Sequence, residues 1–123
     1  MPVAFIVSGE WNLRGAVRAE LREAGVEALG FDTVADMSGA IARGIAPAVA
    51  VVDASCLREP FDRQALQNLA AHLPVLVIAS RLDPHPPLPG AFVLLRPVQV
   101  KLIVARVIAL LASPKPQPHP SPG

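Results

Sequence analysis

The chain has 123 residues, of which 52% are hydrophobic, and its formal net charge is +1 at pH 7. This length supports one domain with one hydrophobic core, and the near-neutral charge, with arginines spread among acidic residues, excludes a broad electrostatic surface for nucleic acid. No apolar run approaches the roughly 18 residues that a membrane span requires, so the composition predicts a soluble domain without direct contacts to nucleic acid or membrane.

The single cysteine and the first residues indicate the cellular compartment. Cys56 has no second cysteine with which to form an intramolecular disulfide, which is typical of proteins from a reducing compartment. The opening segment MPVAFIVSGEW has neither the basic segment nor the small-residue cleavage site of a secretory signal. We therefore expect Met1 to be the natural start and the protein to be cytoplasmic.

Hydrophobic periodicity predicts strands and helices in alternation. In chain order these are strand 3–7, helix 13–24, strand 26–31, helix 34–41, strand 48–53, helix 61–73, strand 75–80, strand 91–95 and helix 98–112. Gly25 and Gly44 follow the first two helices as residues that tolerate positive φ. Thr33, with Asp36 three residues later, resembles a capping box at the start of the second helix.

The predicted strands are apolar over almost their whole length, and amphipathic helices separate them. This pattern is typical of a parallel sheet covered on both faces, so the sequence predicts an α/β fold of the doubly wound class. Ligands of such sheets bind beyond the carboxyl ends of the strands, where the strand order reverses. Asp53 ends the third predicted strand, and Ser8, Gly9 and Glu10 follow the first, which makes these four residues candidates for a site.

Asp53 admits two interpretations. Aspartate is common where a strand gives way to a loop, where its side chain caps or turns the chain. Alternatively, a carboxylate at the end of a buried strand is the acceptor of a phosphoryl group.

The order of elements, Asp53 at the end of the third strand, the segment PVLVIAS and the C-terminal segment GAFVLLRPVQVKLIVARVIALL together resemble a receiver domain of two-component response regulators. The resemblance covers residues 3–112, nearly the whole fold. Its most specific part is Gly90-Ala91, then a strand, then Arg96-Pro97 at the start of an amphipathic helix, where the family typically has Lys-Pro.

The resemblance implies a CheY-like, flavodoxin-like fold with a five-stranded parallel sheet in the order 2-1-3-4-5 and helices on both faces. It implies a receiver-like domain over residues 1–112. It also implies that Asp53 corresponds to the phosphoacceptor of the family.

The acidic pair that binds magnesium in receivers is replaced here by Ser8 and Gly9, with Glu10 one position later. Magnesium requires oxygen ligands in octahedral geometry, mostly from carboxylates and phosphate. Asp53 and Glu10 alone would form a weak site, so we expect no metal and no other cofactor. Because the metal usually neutralises the charge of the phosphoryl group in flight, transfer to Asp53 should be slow.

Two further positions of the family pattern are also replaced. Ala79 stands where receivers have the hydroxyl that senses the phosphoryl group, and its neighbour Ser80 points to the opposite face unless the strand ends early. Arg96, followed by Pro97, stands in place of the switch lysine. A guanidinium is always charged and pairs well with carboxylates, so Arg96 either holds Asp53 in a permanent ion pair or points into solvent.

Proline marks two regions that depart from an ordinary receiver. Segment 81–90, RLDPHPPLPG, has four prolines, which predicts a loop in place of the fourth helix because proline removes donors and fixes φ. The last residues, 113–123, have proline at every second position and are predicted to form a stiff, disordered tail or linker stub.

The last predicted helix is apolar almost all round, and such a helix cannot bury its whole surface against one sheet. Exposed apolar patches usually mark interfaces, so we expect a homodimer through this helix. The alternative is a helix that packs more deeply because the preceding loop is short. The expected interface residues are Leu102, Val104, Val107, Ile108 and Leu111.

Together these observations predict an atypical receiver-like signalling domain that is independent of phosphorylation and binds protein partners. We do not expect an enzyme, since the sequence shows no nucleophile and base pair and no paired carboxylates. One alternative is a conventional receiver, phosphorylated on Asp53, with a weakened metal site. Another is a small flavin- or nucleotide-binding domain, because residues 8–12, SGEWN, faintly resemble a phosphate loop, although the Glu10 carboxylate would repel phosphate there.

Overall fold

The computed structural model describes residues 1–82 and 88–112. In this part of the chain five strands and four α-helices follow one another in the predicted order. The elements are β1 Val3–Val7, α1 Trp11–Glu23, β2 Glu27–Phe31, α2 Val34–Ala42, β3 Val49–Asp53, α3 Phe61–Ala70, β4 Val75–Ala79, β5 Phe92–Leu95 and α4 Val100–Ala112.

The five strands form one parallel sheet with the order β2-β1-β3-β4-β5, which confirms the predicted fold. The chain first runs outward from β1 to β2 and then crosses back to β3 on the other side of β1. The strand order therefore reverses between β1 and β3, where Val7 lies opposite Val52. Ligands of doubly wound sheets bind at this point, and both strands end there.

The strands are apolar over almost their whole length, with Glu27 in β2 and Asp53 in β3 as the exceptions, and helices pack on both faces of the sheet. All five residues of β3 are buried. On one face, Val17 and Leu21 of α1 and Ile103 of α4 pack against the sheet. On the other face, Met37 of α2 and Leu66 of α3 complete a second apolar cluster.

The local signals at the helix ends act as predicted. The Thr33 hydroxyl accepts a hydrogen bond from the Asp36 N–H at 3.0 Å and caps α2. Gly25 and Gly44 follow α1 and α2 with φ of 86° and 98°, a backbone conformation that glycine adopts without a Cβ clash.

Several details differ from the sequence-based expectation. Phe61, an apolar residue and the first of α3, is 79% exposed, and α3 ends at Ala70 instead of residue 73. The last helix begins at Val100 instead of residue 98. No helix among the described residues is long and apolar enough to cross a bilayer.

The region between β4 and β5 agrees with the predicted loss of the fourth receiver helix as far as it is described. Residues 80–82 and 88–91 form turns and irregular structure, without a helix. The central part of the predicted loop, residues 83–87, and the predicted tail, residues 113–123, lie outside the described residues.

Candidate functional site

Three polar residues meet at the carboxyl edge of the sheet. Asp53 is the last residue of β3, and Ser8 directly follows the neighbouring strand β1. Arg96 directly follows β5, and one strand, β4, separates β5 from β3 in the sheet. Asp53 and Ser8 are each only 1% exposed, so this edge holds a buried carboxylate that requires partners.

Both carboxylate oxygens of Asp53 are hydrogen-bonded. Asp53 Oδ2 accepts from Arg96 Nη2 at 2.7 Å and from Ser8 Oγ at 3.1 Å. Asp53 Oδ1 accepts from the Ser55 backbone N–H at 3.1 Å and from Ser55 Oγ at 2.9 Å. One guanidinium, two hydroxyls and one backbone N–H thus compensate for the lost hydration of the carboxylate.

The hydrogen bonds from Ser55 also confirm the simpler interpretation of Asp53. The Asp53 side chain caps a short 3₁₀ turn over residues Ala54–Cys56, as aspartate does after many strands. Ser55 was not among the candidates from the sequence. Its position two residues after an aspartate is the usual signature of such a turn and would have identified it.

Arg96 lies between two carboxylates. Its Nη2 atom is 2.7 Å from Asp53 Oδ2 and 3.6 Å from Glu10 Oε2. Its backbone N–H donates to the Ala79 carbonyl at 2.7 Å, which fixes the arginine beside the end of β4. The sequence left open whether Arg96 pairs with Asp53 or points into solvent, and the structure shows the ion pair. The pair forms through one guanidinium nitrogen and is not bidentate.

Ser8 connects the site to the start of α1. Its hydroxyl accepts from the Glu10 N–H at 3.0 Å, and its carbonyl accepts from Arg14 Nη1 at 2.7 Å. Arg14 in turn forms an ion pair with Asp32, while Gly9 is exposed. The Glu10 N–H, which a phosphate loop would direct at its ligand, is therefore already used inside the protein.

Ala79, Ser80 and Pro97 complete the set of predicted site residues. Ala79 ends β4 and offers only its carbonyl to Arg96. Ser80 lies beyond the strand and is exposed, and its hydroxyl accepts from the Leu82 N–H at 3.1 Å. Ser80 thus takes part in a local turn and does not replace the missing hydroxyl. Pro97 is exposed and follows Arg96 through a cis peptide bond.

The magnesium ion implied by the receiver resemblance does not fit these residues. The part of the chain described here has no group of three or more histidine, cysteine, aspartate or glutamate residues that could hold a metal. Asp53 and Glu10 are the carboxylates at the site, and the Arg96 guanidinium already lies within 4 Å of both. A divalent cation would have to displace this positive charge, and it would find each Asp53 oxygen accepting two hydrogen bonds.

Cys56 ends the short 3₁₀ turn that follows Asp53. The thiol is half-buried and donates to the Asp53 carbonyl at 3.1 Å. Burial, together with the nearby negative charges of Asp53 and Asp62, raises the pKa of Cys56 to about 11. The thiol is therefore protonated at neutral pH and is not a nucleophile.

The predicted interface on the last helix requires a correction. Val104 is 7% exposed and Val107 is fully buried in the apolar cluster against the sheet, so neither is available at the surface. Val107 follows Ile103 by four residues and Val104 by three, so it lies on the same side of the helix as both, and all three belong to the apolar cluster against the sheet. Leu102 and Ile108 are 49% and 39% exposed, and Leu111 is half-buried.

No protein-family model matches the chain, and no curated protein matches it either. Solved structures do match. A response regulator receiver domain protein from Clostridium thermocellum aligns with a TM-score of 0.75 at 13% identity, covering 91% of this chain and 95% of that one. A response regulator receiver protein from Burkholderia phymatum aligns with a TM-score of 0.69 at 19% identity, covering 94% and 99%.

A third match is a CheY-like response regulator receiver domain protein from Methanospirillum hungatei JF-1, with a TM-score of 0.71 at 15% identity, covering 90% of this chain and 94% of that chain. The chain therefore has the receiver fold. At these identities the similarity concerns the fold alone, and the function has to be argued from the site.

Proposed function

We propose that this chain is an atypical receiver-like domain of a two-component or phosphorelay-type system, which signals by binding proteins without phosphorylation of Asp53. The observation that carries this proposal is the ion pair between Arg96 and the buried Asp53. The proposal includes that the domain is not itself an enzyme, uses no cofactor and acts in the cytoplasm.

The ion pair disfavours phosphorylation because it acts on the nucleophile. An aspartate accepts a phosphoryl group by attack of a carboxylate oxygen, and transfer requires positive charge around the oxygens of the moving group. Here the Arg96 cation lies on Asp53 Oδ2, which also accepts from Ser8, while Oδ1 accepts twice from Ser55. An attacking oxygen would have to lose hydrogen bonds without gaining a metal.

A response to phosphorylation would also lack its sensor. A switch requires a group that changes its contacts when the phosphoryl group arrives. Position 79 has an alanine, and the hydroxyl of Ser80 is used in a turn with Leu82. Arg96 is already bound to Asp53, so the arrangement favours a single state whose binding surface is always available.

The test is the intact mass of the protein after incubation with acetyl phosphate and magnesium. Three forms are compared: the wild type, Asp53→Asn, and an ordinary receiver domain treated in parallel. We expect the phosphoryl adduct on the ordinary receiver and on neither form of this protein. A phosphoryl adduct on the wild type that is lost in Asp53→Asn would contradict the proposal and support a conventional receiver with a weakened metal site.

We propose a second copy of the chain as one binding partner. Leu102 and Ile108 leave apolar side chains exposed on α4, and exposed apolar residues at a shared surface favour association. In the proposed homodimer through the C-terminal helix, Leu102 and Ile108 remain interface residues, whereas Val104 and Val107 do not because they are buried. The molar mass in solution, measured as a function of concentration for the wild type and Leu102→Lys, tests this contact.

A further inference from the structure

The two edges of the sheet differ in their protection. The edge strand β2 is covered by arginines of α1: Arg18 Nε and Arg22 Nη2 both donate to the Ala28 carbonyl, at 3.2 and 3.4 Å. The aliphatic part of Arg14 crosses the same strand beside Gly30. Charged side chains over an edge prevent another strand from pairing there.

The opposite edge strand, β5, has the sequence FVLL, without charge or proline. The Arg96 N–H donates to the Ala79 carbonyl and so points toward β4. Because the N–H and C=O groups of successive strand residues point alternately to the two sides, those of Leu95 and Val93 point away from β4, to the outer edge. Among the described residues, none forms a hydrogen bond with the outward N–H and C=O groups of Val93 and Leu95.

The side chains of β5 are also unusually exposed for apolar residues in a sheet. Val93 is 40% and Leu95 is 47% exposed. Leu94 packs into the cluster with Ile103 of α4, and by strand alternation Val93 and Leu95 point to the other face. On that face the described residues between β4 and β5 form no covering helix.

We infer that β5 pairs in antiparallel orientation with β5 of a second copy, across a two-fold axis, to give one continuous ten-stranded sheet. The occupant is a second copy because the edge is complementary to itself. An antiparallel pair with Val93 opposite Leu95 of the other copy lets the outward N–H and C=O groups of both residues exchange hydrogen bonds. The strand has no charge that would repel its own copy, unlike the arginine-covered edge at β2.

The same arrangement buries the exposed side chains. Residues directly opposite each other in an antiparallel pair point to the same face, so Val93 and Leu95 of both copies form one apolar row. This row lies on the face where residues 80–82 and 88–91, the described residues between β4 and β5, form no helix. Since each strand has only four residues, the interface is small, and we expect a dissociation constant in the micromolar range or weaker.

This inference rests on the proposed self-association but locates its main contact on β5 instead of α4, and it does not depend on the charge state of Asp53.

The experiment is sedimentation equilibrium of the full chain from roughly 1 µM to roughly 1 mM, a range that brackets a micromolar dissociation constant. Val93→Lys places one positive charge from each copy at the paired edge, and Val93→Pro removes an outward N–H without adding charge. Ala42→Lys, on the exposed part of α2, is the matched control for the added charge, and Leu102→Lys tests the helix contact.

We expect a wild-type dimer that persists in Ala42→Lys, while Val93→Lys and Val93→Pro weaken dimerisation at least about tenfold. Circular dichroism and urea unfolding verify that each variant folds. If Val93→Pro does not fold, the effect of Val93→Lys on dimerisation alone tests the β5 contact. A dimer that only Leu102→Lys weakens would overturn the inference and keep the helix contact. A wild-type monomer at every concentration would overturn both contacts, yet leave the acetyl phosphate result, and with it the proposal for Asp53, unaffected.

Discussion

Arg96 Nη2 lies 2.7 Å from Asp53 Oδ2, although 43 residues separate the two positions in the chain. Asp53 ends β3 and Arg96 follows β5, and β4 lies between these strands. The parallel sheet brings their carboxyl ends to one edge, where the Arg96 backbone N–H donates to the Ala79 carbonyl at the end of β4 and the long arginine side chain reaches the carboxylate.

The ion pair should contribute measurably to stability. Arg96→Ala leaves the buried Asp53 carboxylate without its cation, and we expect a loss of about 1–3 kcal/mol in the free energy of unfolding, less than for a fully buried pair because Arg96 is 33% exposed. Urea unfolding of Arg96→Ala, Asp53→Asn and the double variant gives the coupling energy, expected at about 1–2 kcal/mol.

Salt provides the control for this coupling. The exposed pair of Arg22 with Glu27, 4.0 Å apart, should show little coupling at any ionic strength. The coupling between Arg96 and Asp53 should persist in about 1 M NaCl, because one partner is buried and poorly screened. A coupling near zero would mean that the contact does not hold Asp53 and would remove the main support for the proposed function.

Two glycines should respond oppositely to alanine substitution. A Cβ at Gly30 would lie 2.8 Å from Arg14 Cδ and 3.1 Å from Arg18 Cδ, whereas a Cβ at Gly15 in α1 meets nothing within 4 Å. Gly30→Ala pushes the arginine side chains off β2 and should destabilise the protein by about 1 kcal/mol or more. Gly15→Ala should stabilise it by about 0.5–1 kcal/mol, because alanine favours the helix.

Urea unfolding of the two alanine variants beside the wild type is the measurement. Equal slopes are required for the comparison, since a changed slope would indicate a changed unfolded state. If Gly30→Ala were as stable as Gly15→Ala, Arg14 would not lie close to β2. The inference that arginines cover this edge of the sheet would then also fail.

The Cys56 thiol should make stability depend on alkaline pH. Burial raises the pKa of the folded thiol from 9.0 to about 11. Between these values the unfolded chain loses the proton while the folded protein keeps it, so the contribution to stability is complete below pH 9 and is lost as the pH rises toward 11. Urea unfolding from pH 8 to 11 should show this fall in the wild type.

Cys56→Ala is the control because it removes this titration and keeps all others. The difference in unfolding free energy between wild type and Cys56→Ala should shrink with rising pH. Alkylation by iodoacetamide at pH 8 should also be slower in the folded protein than in urea, because the thiolate is the reactive form. A folded thiol that reacts as fast as the unfolded one would contradict the raised pKa.

The cap of α2 offers a local test of the sequence signal. Thr33→Ala removes the hydroxyl that accepts from the Asp36 N–H and should cost about 1 kcal/mol of stability. Thr33→Ser keeps the acceptor and should restore most of the loss. If serine were no better than alanine, the effect would come from the methyl group of threonine and not from the cap.

The elements and their order followed from the sequence because their signals are local. Apolar residues at a spacing of three and four predicted the helices α1 to α4, and continuous apolar runs predicted the strands. The Thr33 cap and the glycines after α1 and α2 also depend only on residues a few positions away. The candidate residues Ser8 and Asp53 were located because parallel strands in a doubly wound sheet place their carboxyl ends together.

Only the tertiary structure decided which of these groups touch. The sequence left Arg96 free to pair with Asp53 or to point into solvent, since its reach depends on the distance between the ends of β3 and β5. It could not assign Val104 and Val107 to the buried side of α4 either, because a helix that is apolar almost all round carries no periodic signal for its orientation. Contacts between distant residues depend on how whole elements pack, whereas the elements themselves depend on neighbours in the chain.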